Sequence, residues 1–178
     1  MSTVAKLDKS RTQLTQEFED LFREHYQLVY RTACVVTGSP EDAEDVLQTI
    51  FLRLLRRAVP PDFHEHPKGY FYRAAVNLSL NTIRLRRKQL LIGDADIFEG
   101  DRPTSSSGID EGIHTRLLEA IATLSPRSVE ILILRYVYDY TEPQIAALLR
   151  RSRGTIAVTL FRSRARLRKL LLSSGERV

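Results

Sequence analysis

The sequence predicts an all-α protein with two small helical domains joined by a flexible acidic, Ser-Gly-Pro linker, the second domain with a helix-turn-helix. Three observations support this fold class. Gly and Pro are few, at 8 and 7 of 178 residues. Apolar residues recur at spacings of three and four, which is typical of amphipathic helices. Residues 92–109 interrupt that periodicity with acidic residues and then Ser, Gly and Pro, which indicates a domain boundary.

The composition excludes several classes of protein. No apolar run approaches the roughly 20 residues of a membrane span, and the N-terminus lacks the apolar core of a secretory signal, so we expect a cytoplasmic protein. Cys34 is the only cysteine, so no internal disulfide is expected. His64 and His66 lack the further ligands that a metal site needs. We find no phosphate-binding loop and no nucleophile with a placed base, and therefore predict no catalysis and no cofactor.

The first domain is predicted at residues 15–91, after a polar arm at 1–14. An apolar stripe from Phe18 to Val36 forms its first helix, and Gly38 is a natural stop. Ser39 and Pro40 are a cap and a first helical residue for the second helix. We expect the inward face of this helix to hold Ala43, Val46, Leu47, Ile50, Leu54 and Leu55. Its outer face is then polar except for Leu52, which hints at a partner surface.

A loop and a third helix complete this domain. Phe63 lies in a polar loop at 59–68, where an exposed aromatic can stack on a nucleic-acid base. The third helix, at 69–91, is expected to turn five residues partly outward: Tyr70, Tyr72, Arg73, Asn77 and Asn81. Aromatics interleaved with Arg and Asn suit single-stranded nucleic acid. The alternative is that the tyrosines only bridge core and water.

The second domain is predicted at residues 110–172, before a short tail at 173–178. Ser125 and Pro126 start one helix, and Thr141 caps another. Arg150 and Arg151 form a turn, after which Ser152 caps the last helix. Residues 150–169 hold eight Arg or Lys residues and no acid. A solvated helix face usually mixes signs, so an external anion, nucleic-acid phosphate above all, is the better explanation than a merely solvated face.

Together these features resemble a bacterial sigma factor of the extracytoplasmic-function type, over roughly residues 18–171. The most specific stretch is DAEDVLQTIFLRLLRR, which is similar to the family's polymerase-binding helix. GYFYRAAVNLSLNTIR is similar to its promoter-melting helix. LSPRSVEILILRYVYDYTEPQIAALL with RGTIAVTLFRSRARL is similar to the module that reads the minus-thirty-five element.

The resemblance implies partners and roles. The partners are core RNA polymerase, promoter DNA and an anti-sigma factor. The implied polymerase-binding residues are Asp45, Gln48, Thr49, Leu52, Arg53 and Arg56. The implied DNA-binding residues of the first domain are Phe63, Tyr72, Arg73, Asn77, Asn81 and Arg84. Those of the second are Arg153, Thr155, Ala157, Val158, Phe161, Arg162 and Arg166. The linker would follow the polymerase's RNA exit path.

The chain departs from the family pattern in the recognition helix. Ala157, Val158 and Thr159 stand where a basic, Ser, basic run is usual, which removes direct contacts to DNA. One alternative is therefore a sigma-like interaction protein that sequesters or adapts a partner and has lost promoter reading. Another is a helix-turn-helix regulator that acts alone, although the polymerase-like helix argues against it.

Overall fold

In the computed structural model, residues 2–56, 63, 65–92 and 108–173 are described, with backbone alone for 2–15, 90–92, 108–111 and 173. The described part of the chain is helical and contains no strand. Its helices are α1 (Ser2–Thr37), α2 (Pro40–Leu55), α3 (Pro67–Ile92), α4 (Gly108–Ala122), α5 (Pro126–Tyr136), α6 (Glu142–Leu149) and α7 (Arg153–Ser173). The all-α prediction is confirmed.

Helices α1, α2 and α3 form the first module around a core rich in aromatic residues. Val29 and Ala33 of α1, Ile50 and Phe51 of α2 and Phe71 of α3 are all buried in it. The turn between α1 and α2 is fixed by Gly38, whose φ of 68° is left-handed and whose N–H donates to the Cys34 carbonyl at 2.9 Å. Ser39 then caps α2 by accepting from the Asp42 N–H at 3.3 Å.

Helices α4 to α7 form the second module, and their boundaries follow local capping. Ser125 accepts from the Ser128 N–H at 3.2 Å, and Ser152 accepts from the Thr155 N–H at 3.1 Å. Gln144 accepts from the backbone N–H of Thr141 at 2.8 Å at the start of α6. The turn into α7 places Arg150 in the left-handed region, with φ 53° and ψ 53°. The predicted caps and turn are confirmed.

The two modules pack directly on each other. Val36 of α1 and Tyr72, Val76 and Leu80 of α3 share one apolar cluster with residues of α5, α6 and α7 such as Leu134, Ile145 and Leu160. Because the shared residues are fully or nearly buried, each module covers an apolar face of the other. The three-helix core of the first module and this shared cluster are the two centres of packing.

Two details of the predicted first domain differ from the structure. α1 begins at Ser2, so the residues predicted as an arm continue the helix. No Gly or Pro precedes Gly38, and extending an existing helix is much easier than starting one. Leu55 was expected inward but is exposed at the last turn of α2. The predicted linker at 92–109 and the tail at 173–178 lie almost wholly outside the described residues.

No helix in the described residues is long and apolar enough to cross a membrane.

The Gly38 turn gives a stability prediction with an internal control. A Cβ built on Gly38 would meet Leu118 Cδ1 at 2.5 Å and His114 Cε1 at 3.0 Å, in addition to the strain of a positive φ. We expect Gly38→Ala to lower the free energy of unfolding by about 1–2 kcal/mol or more. Gly154 is helical with open space around it, so Gly154→Ala should raise that free energy by up to about 1 kcal/mol. Urea titration measures both, and an unaltered midpoint for Gly38→Ala would contradict the turn's proposed constraint.

Candidate functional site

The outer face of α2 is presented to solvent as predicted. Asp45, Gln48, Leu52, Arg53 and Arg56 are exposed, and Thr49 is half-buried. Asp42, at the first turn, pairs with Arg86 of α3, so the start of this helix is held by its cap and by an ion pair. The result is a rigid polar surface with one large apolar side chain at its centre.

The outer face of α7 is also open. Its core side packs through Ile156, Leu160 and Ser163, which are buried. The residues predicted to meet DNA are all exposed. Arg153 is the first residue of the helix, and the others lie away from the core side: Thr155, Ala157, Val158, Phe161, Arg162 and Arg166. Arg153, Arg162 and Arg166 form no ion pair with any described residue. Their charge is therefore available to an external anion.

Phe63 and Tyr72 do not face solvent, and the expectation that they would is wrong. Phe63 is 1% exposed and packs edge-on against Tyr70 and Phe71, with ring centroids 5.1 and 5.8 Å apart. Tyr72 is also 1% exposed and packs edge-on against Tyr138 of the second module at 5.2 Å. Burying each aromatic ring removes a large apolar surface from water. This free energy decides the position of the ring, even where its neighbours in the sequence are polar.

The remaining predicted residues of α3 divide into two groups. Asn77 and Asn81 are exposed, and Arg73 is half-buried. Arg84 instead reaches the second module, where it donates to the carbonyls of Ala122 and Leu124 at 3.0 and 2.8 Å. These carbonyls lie at the end of α4, where a cation is favoured. In this arrangement Arg84 holds the modules together.

The contacts between the modules centre on Tyr138, which sequence analysis did not single out. Its hydroxyl pairs with the Thr32 hydroxyl at 3.0 Å and donates to the Leu28 carbonyl at 3.1 Å. Arg31 lies over its ring at 5.2 Å and donates to the Val137 carbonyl at 3.2 Å. Burial raises the pKa of Tyr138 and, more strongly, that of Tyr72. Both hydroxyls therefore stay protonated.

A second contact between the modules is made by Lys68, which lies one helical turn before Tyr72 on α3. Lys68 of α3 donates to the Tyr140 hydroxyl at 2.8 Å. The only sequence signal for these tyrosines is their pairing in Tyr138-Asp139-Tyr140 between α5 and α6. Their partners in α1 and α3 are 106 and 72 residues away along the chain, so local pattern cannot find them.

Glu130 of α5 is a buried carboxylate that sequence analysis also missed. It is 7% exposed, and its Oε1 has no hydrogen-bond partner among the described residues. Burial raises its pKa to about 7, although nearby Arg73, Arg127 and Arg151 act in the opposite direction. The ionised carboxylate of Glu130 therefore destabilises the folded state, and the three nearby arginines reduce this destabilisation.

Comparison with known families gives two matches that follow the two modules. Sigma-70 region 2 matches residues 21–89, and Sigma-70 region 4 matches residues 114–167. The chain belongs to the sigma-70 family. The matched ranges contain the outer faces of α2 and α7 and the residues that join the modules.

Its relatives are extracytoplasmic-function (ECF) sigma factors, and the chain is of this type. It is 29% identical over 161 residues to the ECF RNA polymerase sigma factor SigE of Mycolicibacterium smegmatis, over 86% of this chain and 61% of that protein. It is 26% identical over 157 residues to the RNA polymerase sigma-E factor of Streptomyces coelicolor, over 88% of this chain and 87% of that protein. The chain thus spans less than two thirds of the first relative and most of the second.

A solved structure supports the fold. The sigma factor RpoE from Bartonella quintana, crystallised with the anti-sigma factor NepR, matches with a TM-score of 0.51 and 19% sequence identity. The match covers 88% of this chain and 97% of that chain. At this identity the likeness shows a shared fold.

Glu130 makes the stability of this sigma factor depend on pH in a defined direction. Because its pKa of about 7 in the folded state lies above the ordinary 4.5, ionisation opposes folding. As the pH rises from about 4.5 to 7, the free energy of unfolding of the wild type should therefore fall relative to that of Glu130→Gln, by up to about 3 kcal/mol.

Urea midpoints at pH 5, 6, 7 and 8 measure this difference. Glu119→Gln removes the same charge at an exposed position of α4 and should leave the pH dependence of stability as in the wild type. Parallel stability curves for wild type and Glu130→Gln would show that the carboxylate is not buried at a cost.

Proposed function

We propose that this protein is a transcription initiation factor that binds core RNA polymerase and directs it to specific promoters. It acts in the cytoplasm and contributes no catalytic step. The observation that carries the proposal is that the chain presents two separate open faces, on α2 and on α7, within the two matched sigma-70 regions. One suits a protein partner and the other suits DNA.

The α2 face is the proposed polymerase handle. Asp45, Gln48 and Leu52 combine a charge, an amide and an apolar centre on one side of a helix that is capped and tied to α3. Such a pre-ordered surface loses little conformational freedom on binding. Thr49, Arg53 and Arg56 extend the same surface toward the end of the helix.

The α7 face is the proposed upstream DNA contact. A helix-turn-helix places its second helix in the major groove, with the N-terminal residues of that helix nearest the bases. Arg153 begins α7, and Thr155, Arg162 and Arg166 share one solvent side of this helix. The unpaired charges of the three arginines supply the salt-dependent attraction to phosphate.

The first module's proposed DNA residues require a rearrangement. Tyr72 can stack on an unpaired base only after it leaves its buried position between the modules, and Arg84 must release the end of α4. Phe63 is buried in the core of the first module itself, so its proposed contact with a base requires a further local change in that module. We therefore propose that the modules separate when the protein engages polymerase and promoter. After separation, Arg73, Asn77 and Asn81 would flank the exposed Tyr72 on α3.

An anti-sigma factor is the proposed third partner. The Bartonella quintana relative in fold is bound to the anti-sigma factor NepR. An anti-sigma factor that held the modules apart, or held them closed, would control access to Tyr72.

Run-off transcription with purified core polymerase on the DNA upstream of the protein's own gene tests the proposed function. We expect a defined transcript only when both proteins are present. Absence of any transcript on that template and on a library of random promoters would contradict it.

The polymerase handle gives a specific prediction. Asp45→Ala with Gln48→Ala should weaken core binding by about 2 kcal/mol or more, roughly 30-fold, because both side chains lie at the centre of the proposed interface. Fluorescence titration of labelled protein with core polymerase measures the affinity. Glu119→Ala removes an exposed carboxylate from α4, in the other module, and should bind as the wild type does. Equal affinities for all three proteins would remove α2 as the handle.

The solvent face of α7 gives a prediction about DNA binding. Arg162→Ala and Arg166→Ala should each weaken duplex binding nearly equally across upstream sequences and lower the salt slope by about 0.9, because each arginine meets a phosphate. The full chain is titrated with labelled duplex at several salt concentrations. Arg116→Ala, an exposed arginine on α4, is the control and should keep the wild-type slope. An effect confined to one base position would indicate a base contact instead.

A further inference from the structure

The solvent side of α7 carries an apolar ridge, formed by Val158, Phe161 and Ala165. The spacing of three and four residues places them along one line of the helix. Phe161 is 74% exposed, Val158 is 49% exposed, and Ala165 is also exposed. Ala157 is exposed beside this ridge. A contiguous exposed apolar ridge, unlike a single exposed apolar residue, indicates a surface that a partner covers.

Cations flank the apolar ridge on both sides. Arg162, Arg166 and Lys169 lie along one side, and Arg168 lies along the other. Arg164 is on the same side as Arg168, where it lies over the Tyr136 ring of α5 at 5.7 Å. No acidic residue occurs from Arg153 to Ser173. The ridge therefore needs an occupant that is apolar at its centre and anionic at both edges.

The side-chain hydroxyls near the ridge are already engaged within α7 and its cap. The Thr159 hydroxyl donates to the Thr155 carbonyl at 2.7 Å, and the Thr155 hydroxyl pairs with that of Ser152 at 2.8 Å. Ala157, Val158 and Phe161 have no polar side-chain atoms. Apart from Arg153, the first turns of α7 therefore present mainly carbon atoms to a partner, so recognition of bases by hydrogen bonds is weak there.

The major groove of DNA satisfies these requirements. It is about 12 Å wide, which admits a helix, and a phosphate backbone runs along each edge. Among the groups that base pairs present there, the thymine C5-methyl is the apolar one, and it contacts Ala, Thr methyl and Phe side chains. We propose that Val158 and Phe161, with Ala157, recognise thymine methyl groups in the upstream promoter element. The inference rests on the proposed function, since it requires α7 to dock on DNA.

The test uses thymine and deoxyuracil, which differ only by the methyl group. Duplexes that bind the full chain, alone and with core polymerase, are first selected from a random-sequence library. We expect the selected upstream element to contain thymines at fixed positions. Replacing one contacted thymine by deoxyuracil should then weaken binding about fourfold, which is about 0.8 kcal/mol for one buried methyl.

Variants assign the methyl contact to the ridge. Val158→Ala and Phe161→Ala should each reduce the ratio of thymine to deoxyuracil affinity toward one at a specific position. Leu172→Ala removes an exposed apolar side chain 11 positions after Phe161 on the same helix, and should leave that ratio unchanged. Circular dichroism confirms that each variant remains folded.

The outcomes separate this inference from the proposed function. Salt-dependent duplex binding with equal thymine and deoxyuracil affinities would overturn methyl recognition and leave the upstream DNA function intact. Selection of an element without thymines would do the same. Absence of any selected duplex, with or without polymerase, would overturn both. Loss of the methyl effect in the ridge variants alone supports the proposal.

Discussion

Tyr138 is the contact on which the arrangement of this sigma factor depends. Its hydroxyl satisfies two groups of α1, the Thr32 hydroxyl and the Leu28 carbonyl, while its ring covers Tyr72 of α3. An edge-on aromatic pair and hydrogen bonds to buried partners are each worth about 1 kcal/mol. Arg84 adds two charge-assisted hydrogen bonds to the end of α4. The modules are thus held by a few specific contacts over an apolar interface.

The packing of the two modules leaves the proposed DNA-binding face of α7 open and covers part of the proposed DNA-binding face of α3. The outer face of α7 is open while the modules are together, whereas Tyr72 is covered and Arg84 is occupied. A partner can shift such an equilibrium only by binding the separated state more tightly than the packed one. Shifting it from 1:99 to 99:1 requires about 5.5 kcal/mol of differential affinity. A large polymerase interface can supply that difference, whereas a short upstream duplex on α7 has no reason to favour either state.

The sequence predicted well what is decided locally. Capping residues such as Ser39 and Ser152 act within one helical turn, so the predicted caps of α2, α5, α6 and α7 were correct. The outer faces of α2 and α7 were also correct, since helical periodicity separates an apolar side from a polar one. The burial of Phe63 and Tyr72 was missed because tertiary packing decides it, and the partner of Tyr72 belongs to the other module. Glu130 was missed because a buried carboxylate lies in no recognisable motif.

On α7, different residues are expected to supply affinity for DNA and selectivity for its sequence. Arginines that bind phosphate give affinity and register on any duplex, while contacts to base edges distinguish sequences. In this chain Arg162 and Arg166 flank the apolar ridge of α7. Val158 and Phe161 of this ridge cannot form side-chain hydrogen bonds. A methyl contact discriminates less than a bidentate hydrogen bond, which is worth about 1–3 kcal/mol. Upstream recognition by α7 is therefore expected to be weak in selectivity, so the first module and the polymerase must contribute most of the promoter choice.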